Sequence, residues 1–170
     1  MSKYTISGLK FHKGHEGEPL AQCNILRDGK KVAEYSDGDH GGECTFHWLD
    51  YGAPKLPVPV TQYDGKILEW PCTPEEALLR QHIRGMTYDL FGDGKLREMS
   101  LDIFISEMID AQQKVAQEKR WCKKATLFRV KGDPQGEWRT IKQVFTDQIK
   151  AWIIGKYGNS VEAIMNERYI

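Results

Sequence analysis

The segment LAQCNILRDGKKVAEY, residues 20–35, contains the strongest structural signal in the first third of this chain. Two β-rich runs flank Asp28-Gly29, a dipeptide that accepts the positive φ angles of a two-residue type I′ turn. The pattern predicts a β-hairpin in which Arg27 faces Lys30, Ile25 faces Val32 and Cys23 faces Glu34. Ile25, Val32 and Cys23 would then share one face, which suits packing on a core.

The sequence on either side of this hairpin extends it to a meander. Residues 4–11 are rich in β-forming side chains, and residues 43–48 alternate so that Cys44, Phe46 and Trp48 share one side. We therefore expect about four antiparallel strands within residues 1–50. Residues 51–60 hold three prolines and predict an extended connector, followed by a turn at 63–66 and a short strand at 67–70.

Helix signals begin at Thr73-Pro74-Glu75-Glu76, which combines an N-cap, a proline at the first helical position and a capping-box glutamate. This helix should end near Arg84, because Gly85 follows. Ser100 can cap a longer helix that ends near Trp121. Its apolar stripe is predicted from helical spacing and comprises Phe104, Met108, Ala111 and Val115, with Ile105 and Ile109 beside them.

The last third predicts a second hairpin followed by two helices. Residues 126–131 and 137–144 read as strands joined by Asp133-Pro134-Gln135-Gly136. Thr146 caps a helix that carries Ile149, Trp152 and Ile153 and ends at Gly158. Ser160 is predicted to start a last short helix. The chain as a whole is predicted to be one α+β domain over residues 1–170: a β-meander (1–50), a proline-containing connector (51–72), and helices plus the hairpin 126–144 (73–170).

The composition bounds the class of protein. The chain has 170 residues, 40% of them apolar, with 24 basic and 24 acidic side chains. A net charge of zero argues against a partner that is recognised through the charge of the whole protein. The four cysteines form no C-x-x-C pair, and no apolar run reaches the length of a membrane span. We therefore expect a soluble protein with free thiols in the cytoplasm and no membrane partner.

Catalytic and metal motifs are weak throughout. His12-x-x-His15 and Cys44-x-x-His47 lack the spacing of a closed zinc site. The acidic loop, residues 36–43, offers Asp37, Asp39 and Glu43 as candidate binding residues, but Gly41 falls where a calcium loop needs its third ligand. A solvated glycine loop is favoured there, and a metal for phosphoryl chemistry stays an alternative. A Cys-His-Asp set assembled in space also stays open. We expect no catalytic residue, metal or cofactor.

The basic segment, residues 114–142, holds nine basic residues against three acidic ones, a net charge of +6. Trp121, Phe128 and Trp138 are interleaved with the cations. The candidate binding residues are Arg120, Lys123, Lys124, Arg129, Lys131 and Arg139. They predict a surface for nucleic acid, a phosphorylated small molecule or an acidic protein. The alternative is structural, because Lys and Arg favour helix C-termini and alternation along a strand turns Arg129 outward.

Three stretches resemble small uncharacterised accessory proteins of bacteriophages and other bacterial mobile elements. They are residues 24–33 (NILRDGKKVA) with the acidic loop and Phe46-His47-Trp48, then residues 126–130 (TLFRV), then residues 156–162 (KYGNSVE). The resemblance covers about the first fifty and last forty-five residues, and its motifs are structural turns. It implies a context in which proteins of this size often inhibit host defence, and it carries over no catalytic or binding residue.

The leading hypothesis is therefore a non-enzymatic phage or mobile-element protein that binds and inhibits a host protein in an anti-defence role. The alternative is a binder of nucleotides or single-stranded nucleic acid, or a phosphoester hydrolase, that uses the basic segment. A metal-dependent enzyme is a third class. Residues 34–50 carry five acids and no Lys or Arg, opposite in sign to the basic segment. If the two regions lie on separate sides of the molecule, this polarity predicts a homo-oligomer that loosens with salt.

Overall fold

The computed structural model of this chain describes residues 3–38, 42–61, 66–89 and 92–169. The backbone divides into two compact units, residues 1–109 (unit 1) and residues 110–170 (unit 2). Unit 1 holds a four-stranded antiparallel sheet, and unit 2 holds a three-stranded one, with helices accompanying both. The chain is therefore α+β, as predicted. That all 170 residues act as one domain stays a prediction.

The first sheet of unit 1 is the predicted meander. Its strands are β1 (Tyr4–Lys13), β2 (Pro19–Arg27), β3 (Lys30–Ser36) and β4 (Thr45–Trp48). They lie in the order β1-β2-β3-β4, each antiparallel to the next. The pairing of β1 with β2 is irregular near Gly8, whose φ is +63°. A β-carbon there would lie 2.9 Å from Nδ2 of Asn24, the end of a side chain that can shift, so the positive φ angle is what favours glycine.

The turn of the central hairpin has the predicted conformation. The φ angle is +51° at Asp28 and +81° at Gly29, and Arg27 faces Lys30. The Asp28 side chain also accepts the backbone N–H of Lys3 at 2.8 Å, which ties the turn to the start of β1. The Asp-Gly dipeptide was therefore sufficient to predict this turn.

The register predicted beyond that first pair is wrong by one residue. Ile25 faces Ala33 instead of Val32, and Cys23 faces Tyr35 instead of Glu34. Val32 is the extra residue of a β-bulge, which lets two consecutive side chains turn inward. Val32 and Ala33 are accordingly both buried. A prediction that assumes strict alternation of inward and outward side chains cannot place two consecutive side chains in the core.

The proline-rich segment that was interpreted as a connector contains a paired strand. β5 (Leu56–Thr61) runs antiparallel to β6 (Ile67–Cys72) in a separate two-stranded sheet, the β5–β6 hairpin. Prolines lack an N–H, and Pro57 faces Pro71, so these two residues cannot form the backbone hydrogen bonds between the strands. Those bonds are made by the alternate residues Leu56, Val58 and Val60. Except for Lys66, the turn predicted at 63–66 lies outside the described residues.

α1 (Pro74–Ile83) begins and ends as predicted. Thr73 Oγ1 accepts the backbone N–H of Glu76 at 3.2 Å, and Gly85 follows the helix with a φ of +79°. The Glu76 carboxylate pairs with Arg80 at 2.8 Å, so only half of the capping box forms. After α1 come two short paired strands, β7 (Thr87–Tyr88) and β8 (Arg97–Glu98).

α2 (Leu101–Cys122) matches the predicted long helix. Leu101, Ile105 and Ile109 are buried in its first turns. Ala111 and Val115, predicted on the same apolar stripe, are exposed, as is every residue from 110 to 117. The stripe prediction is therefore correct only for the first half of the helix, where side chains reach a core.

The core of unit 1 joins the meander to the two helices that follow it. It is built from buried side chains of β1–β4, α1 and the start of α2: Tyr4, Ala21, Cys23, Ile25, Val32, Ala33, Tyr35, Trp48, Leu79, Ile83, Leu101, Ile105 and Ile109. Burial of this apolar surface drives the folding of unit 1.

Unit 2 is organised around β9 (Thr126–Val130), which is the central strand of its sheet. β10 (Arg139–Ile141) pairs with one edge of β9 after the predicted turn, and α3 (Asp147–Tyr157) follows with Thr146 as its N-cap. The last short helix predicted from Ser160 is wrong: residues 161–164 form β11 (Val161–Ile164), which pairs with the other edge of β9. Because β9 is buried on both faces, its second edge needs a strand partner.

Asn166 holds the end of α2 against the start of β9. Its Nδ2 donates to the carbonyls of Cys122 (3.1 Å) and Ala125 (2.9 Å), and its Oδ1 accepts the N–H of Leu127 at 2.9 Å. Asn166 is 3% exposed, and it lies in a short 3₁₀ helix, Met165–Arg168. The buried side-chain amide of Asn166 thus provides the hydrogen-bond partner of three backbone groups at this junction.

Candidate functional site

Asp37 of the acidic loop has a structural role. Its carboxylate accepts the N–H of Ala21 at 2.7 Å and the hydroxyl of Tyr35, and its own N–H donates to the Ala21 carbonyl at 2.9 Å. Burial and the bond to Asp37 raise the pKa of Tyr35 well above its ordinary value. These bonds hold the end of β3 against β2, and they use the oxygens that a ligand would need. Asp39 lies outside the described residues.

Glu43 lines a cavity of about 620 Å³ together with other acidic side chains. Glu18, Asp37 and Asp102 contribute to the same cavity, and one buried oxygen of Glu18 has no hydrogen-bond partner among the residues that the structure describes. Among the residues that the structure describes, no group of three or more His, Cys, Asp or Glu side chains is placed to hold a metal ion. Burial raises the pKa of the Cys44 thiol in this cavity, which makes it a weak nucleophile.

Three of the predicted cationic residues lie at the C-terminal end of α2. Arg120, Lys123 and Lys124 are exposed, and none of them makes an ion pair with a described carboxylate. Lys131, just after β9, is also exposed. These four cations are therefore free to meet an anion. That they bind a ligand stays a prediction.

Arg129 and Arg139 are neutralised by carboxylates and lie on opposite faces of the sheet. Arg129 pairs with Glu162 at 2.9 Å and lies over the Trp138 ring, 5.5 Å from its centroid. Arg139 faces Phe128 across the ladder and pairs with Asp133 at 2.7 Å. The Arg139 bond holds the pKa of Asp133 below its usual range. The structure does not bring these two arginines together in one site.

Formal charge is divided between the two units. Unit 1 carries twelve basic against seventeen acidic side chains, a net charge of −5, and unit 2 carries twelve against seven, a net charge of +5. The polarity that the sequence predicted from two segments thus extends to whole folding units.

The β5–β6 hairpin presents an apolar face that the sequence reading missed. The cross-strand pairs Leu56–Cys72, Val58–Trp70 and Val60–Leu68 share one face, because directly opposed residues point the same way. Cys72 is buried at one end of it, but Trp70 is 52% and Leu68 45% exposed. The signal was present in the sequence as apolar residues at every second position, but the intervening prolines masked it.

Trp152 is a second feature that sequence reasoning placed differently. It was predicted as one of three apolar residues of its helix, and Ile153 is indeed fully buried there. Trp152 itself is 52% exposed and lines a cavity with residues 141–143, 148 and 149. Three consecutive apolar residues, 152–154, cannot all lie on the one buried stripe of a helix, so the sequence already indicated that at least one of them is exposed.

Comparison with known proteins identified no relative of this chain. No family model, curated protein or solved structure matches the chain. In the described part of the chain, no helix is both long and apolar enough to cross a membrane.

Proposed function

We propose that this protein is a non-enzymatic binder that occupies a host protein in the bacterial cytoplasm and thereby inhibits it, in the anti-defence role that the phage-like turn motifs suggest. The observation that carries the proposal is the β5–β6 hairpin. It exposes Trp70 and Leu68 as neighbours on one apolar face, and a contiguous apolar patch on a protein surface commonly marks an interaction site. Trp is also the residue type most enriched among the side chains that dominate binding energy.

The two edges of this hairpin differ in a way that defines the partner. Residues 57, 59 and 61 direct their backbone away from β6, and two of them are prolines without an N–H. Residues 67, 69 and 71 direct their backbone away from β5; Pro71 lacks an N–H, whereas Ile67 and Glu69 keep both N–H and C=O. Neither group of Ile67 or Glu69 is bonded to a backbone partner beyond the hairpin in the described residues. The partner is therefore a host protein that adds an extended strand to β6.

The first experiment tests the apolar face. The purified chain is mixed with lysate of a bacterial host and a stoichiometric complex is isolated, then binding to the identified protein is measured. Exchanging Leu68 and Trp70 for Glu should weaken that binding at least about tenfold, since it places charge in the interface core. Leu96→Glu is the matched control, because Leu96 is 69% exposed and lies outside the hairpin. Turnover of a substrate without any stable partner would contradict the proposal.

A second pair of variants tests strand addition. Glu69→Pro removes an outward N–H from the edge of β6 and should abolish binding. Thr61→Pro removes an outward N–H from the edge of β5, where prolines already stand, and should leave binding intact. Equal effects of the two variants would show that the partner does not pair with β6.

Unit 2 supports a second candidate function, the binding of nucleotides or single-stranded nucleic acid. The specific observation is its net charge of +5, with Arg120, Lys123 and Lys124 exposed and free of carboxylate partners in the described residues. Binding should weaken steeply with salt, because each phosphate contact releases counterions. Exchanging Lys123 and Lys124 for Glu should abolish it, whereas the same exchange at the exposed Lys10 and Lys13 of unit 1 should not. Binding whose strength does not change with salt concentration would contradict this second candidate function.

The opposite charges of the two units also support self-association. We expect an oligomer at low salt that dissociates near 1 M salt, where the Debye length is only about 3 Å. Sedimentation velocity at about 0.1 M and 1 M salt measures this directly. A species of unchanged mass at both salts would show that charge complementarity does not assemble the protein.

A further inference from the structure

The cavity beside Trp152 lies wholly within unit 2 and has the dimensions of a ligand site. Its volume is about 480 Å³, within the range of about 300–1,000 Å³ that small-molecule sites occupy. Its lining combines apolar, aromatic, amide and cationic side chains: Ile141, Lys142, Gln143, Gln148, Ile149 and Trp152. No other described cavity of unit 2 has an exposed tryptophan in its wall.

The local fold holds the floor of this cavity in place. β10 ends at Ile141, and the chain then turns so that the Gln143 N–H donates to the Ile141 carbonyl at 2.7 Å. The Thr126 hydroxyl donates to the Gln143 carbonyl at 2.9 Å, which fixes this turn to β9. Ile141 and Ile149 pack against the core of unit 2. The apolar floor is therefore part of the folded core, so it is formed before a ligand arrives.

Trp152 forms a wall with a flat apolar surface. Its indole is 52% exposed, and Tyr157 meets it edge-on at 6.5 Å between ring centroids. Lys156 Nζ lies over the indole ring, 4.8 Å from its centroid, so its ammonium group covers one face of the indole and a ligand would stack on the other. A planar aromatic ligand would cover the exposed indole and remove its apolar area from water.

The polar groups of the cavity are unused within the described residues. The side-chain amides of Gln143 and Gln148 make no hydrogen bond there, and Lys142 makes no ion pair. Each amide offers a donor and an acceptor together, which matches the edge of a nucleobase. Lys142 supplies positive charge for a phosphate. Asp147, the nearest acid in sequence, lines a different cavity.

We propose that this cavity binds a nucleobase stacked on Trp152, with its phosphate against Lys142, the cation that lines the cavity. The proposal rests on the second candidate function, because it names the site at which unit 2 would hold a nucleotide. The shared chemistry is a base joined to a phosphate, which either a free nucleotide or a single strand supplies. Gln143 and Gln148 contact the edge of the base.

The test titrates the full chain with adenosine 5′-monophosphate and, separately, with a short single-stranded oligoadenylate. Trp152→Ala should weaken binding about tenfold or more, the loss expected when one stacked base loses its aromatic partner. Trp152→Phe should recover part of this loss. Ile154→Ala is the matched control, since Ile154 lies on the same helix and is 47% exposed, and it should bind like the wild type. Lys142→Gln should lower the salt slope by about 0.7 for the oligonucleotide.

The outcomes separate the site from the function. Binding of both probes with equal strength assigns the site to a free nucleotide, and much tighter binding of the oligonucleotide assigns it to a single strand. Binding that survives Trp152→Ala but is lost when Lys123 and Lys124 become Glu overturns the cavity and keeps the second candidate function. Absence of binding by both probes at low salt overturns both. Circular dichroism of each variant confirms that a loss is not unfolding.

Discussion

Replacing Asn166 by Ala should remove a substantial part of the stability of unit 2. The change leaves the Leu127 N–H without its partner and frees the Cys122 and Ala125 carbonyls. Leu127 is 7% exposed, so water cannot readily replace the lost acceptor. An unsatisfied buried group costs about 1–3 kcal/mol and a net hydrogen bond about 1 kcal/mol. Together they predict a loss of about 3 kcal/mol, roughly a hundredfold change in the folding equilibrium.

Urea denaturation followed by tryptophan fluorescence measures the free energy of unfolding, and hydrogen exchange at the Leu127 amide reports the local opening. Asn159→Ala is the control, because Asn159 is exposed and should change stability by less than about 0.5 kcal/mol. Asn166→Asp keeps the acceptor but turns a carboxylate oxygen toward two carbonyls, so it should destabilise at least as strongly at neutral pH. A loss below about 1 kcal/mol for Asn166→Ala, or a tolerated Asn166→Asp, would refute the reasoning.

Three further predictions concern backbone, charge and thiol chemistry. Gly8→Ala should destabilise the protein by about 1–2 kcal/mol in the same urea assay, because φ is +63° there and the new β-carbon meets a side chain of β2 at 2.9 Å. Gly155→Ala is the control: Gly155 lies inside α3 with open space around it, so this change should stabilise the protein by up to about 1 kcal/mol. The pKa of Asp133 is lowered in the folded state by its bond to a guanidinium, so its contribution is present above the ordinary Asp pKa of about 3.9 and is lost as pH falls through the lower folded pKa. Asp133→Asn should therefore flatten the acid limb of a stability-versus-pH curve, and a limb of unchanged slope would contradict this. Burial raises the pKa of Cys23 to about 11 and also raises the pKa of Cys122, but Cys122 is only half-buried, so iodoacetamide at pH 8 should alkylate Cys122 before Cys23. Peptide mass spectrometry checks this order, and equal rates would mean that burial does not protect the thiol.

Local signals predicted the elements that depend on only a few neighbouring residues. The turn at Asp28-Gly29 and the caps at Thr73 and Thr146 all form as predicted. In each case the relevant physics is a backbone φ angle or a hydrogen bond that closes within four residues. The long helix α2 was equally predictable, because its helix-forming residues run without a glycine or proline from Leu101 to Cys122.

The failures share a different cause. Residues 161–164 have helix-compatible spacing, yet they form β11 because β9 has a second edge whose backbone groups need partners. Pro57 and Pro59 argued against a strand, yet β5 pairs because both direct their backbone away from β6. Ala111 and Val115 continue an apolar stripe that has no core to cover. Each outcome depends on a partner that is distant in sequence.

The candidate sites divide along the same line. The sequence located the charged residues and gave their sign, and it correctly identified Arg120, Lys123 and Lys124 as exposed at a helix end. It did not reveal that the Asp37 carboxylate accepts hydrogen bonds from Ala21 and Tyr35, or that Arg129 forms an ion pair with Glu162. Those partners come from other strands, and pairing between strands is set by register.

The α+β class, the turn at Asp28-Gly29, the starts of α1, α2 and α3 and the distribution of charge could be predicted from the sequence, because these follow from each residue and its nearest neighbours. The register of β3, the strand identity of β5 and β11, and the exposure of Trp70 and Trp152 depended on tertiary contacts. The physical reason is that burial and hydrogen-bond satisfaction are properties of two surfaces in contact. One stretch of sequence describes only one of those surfaces.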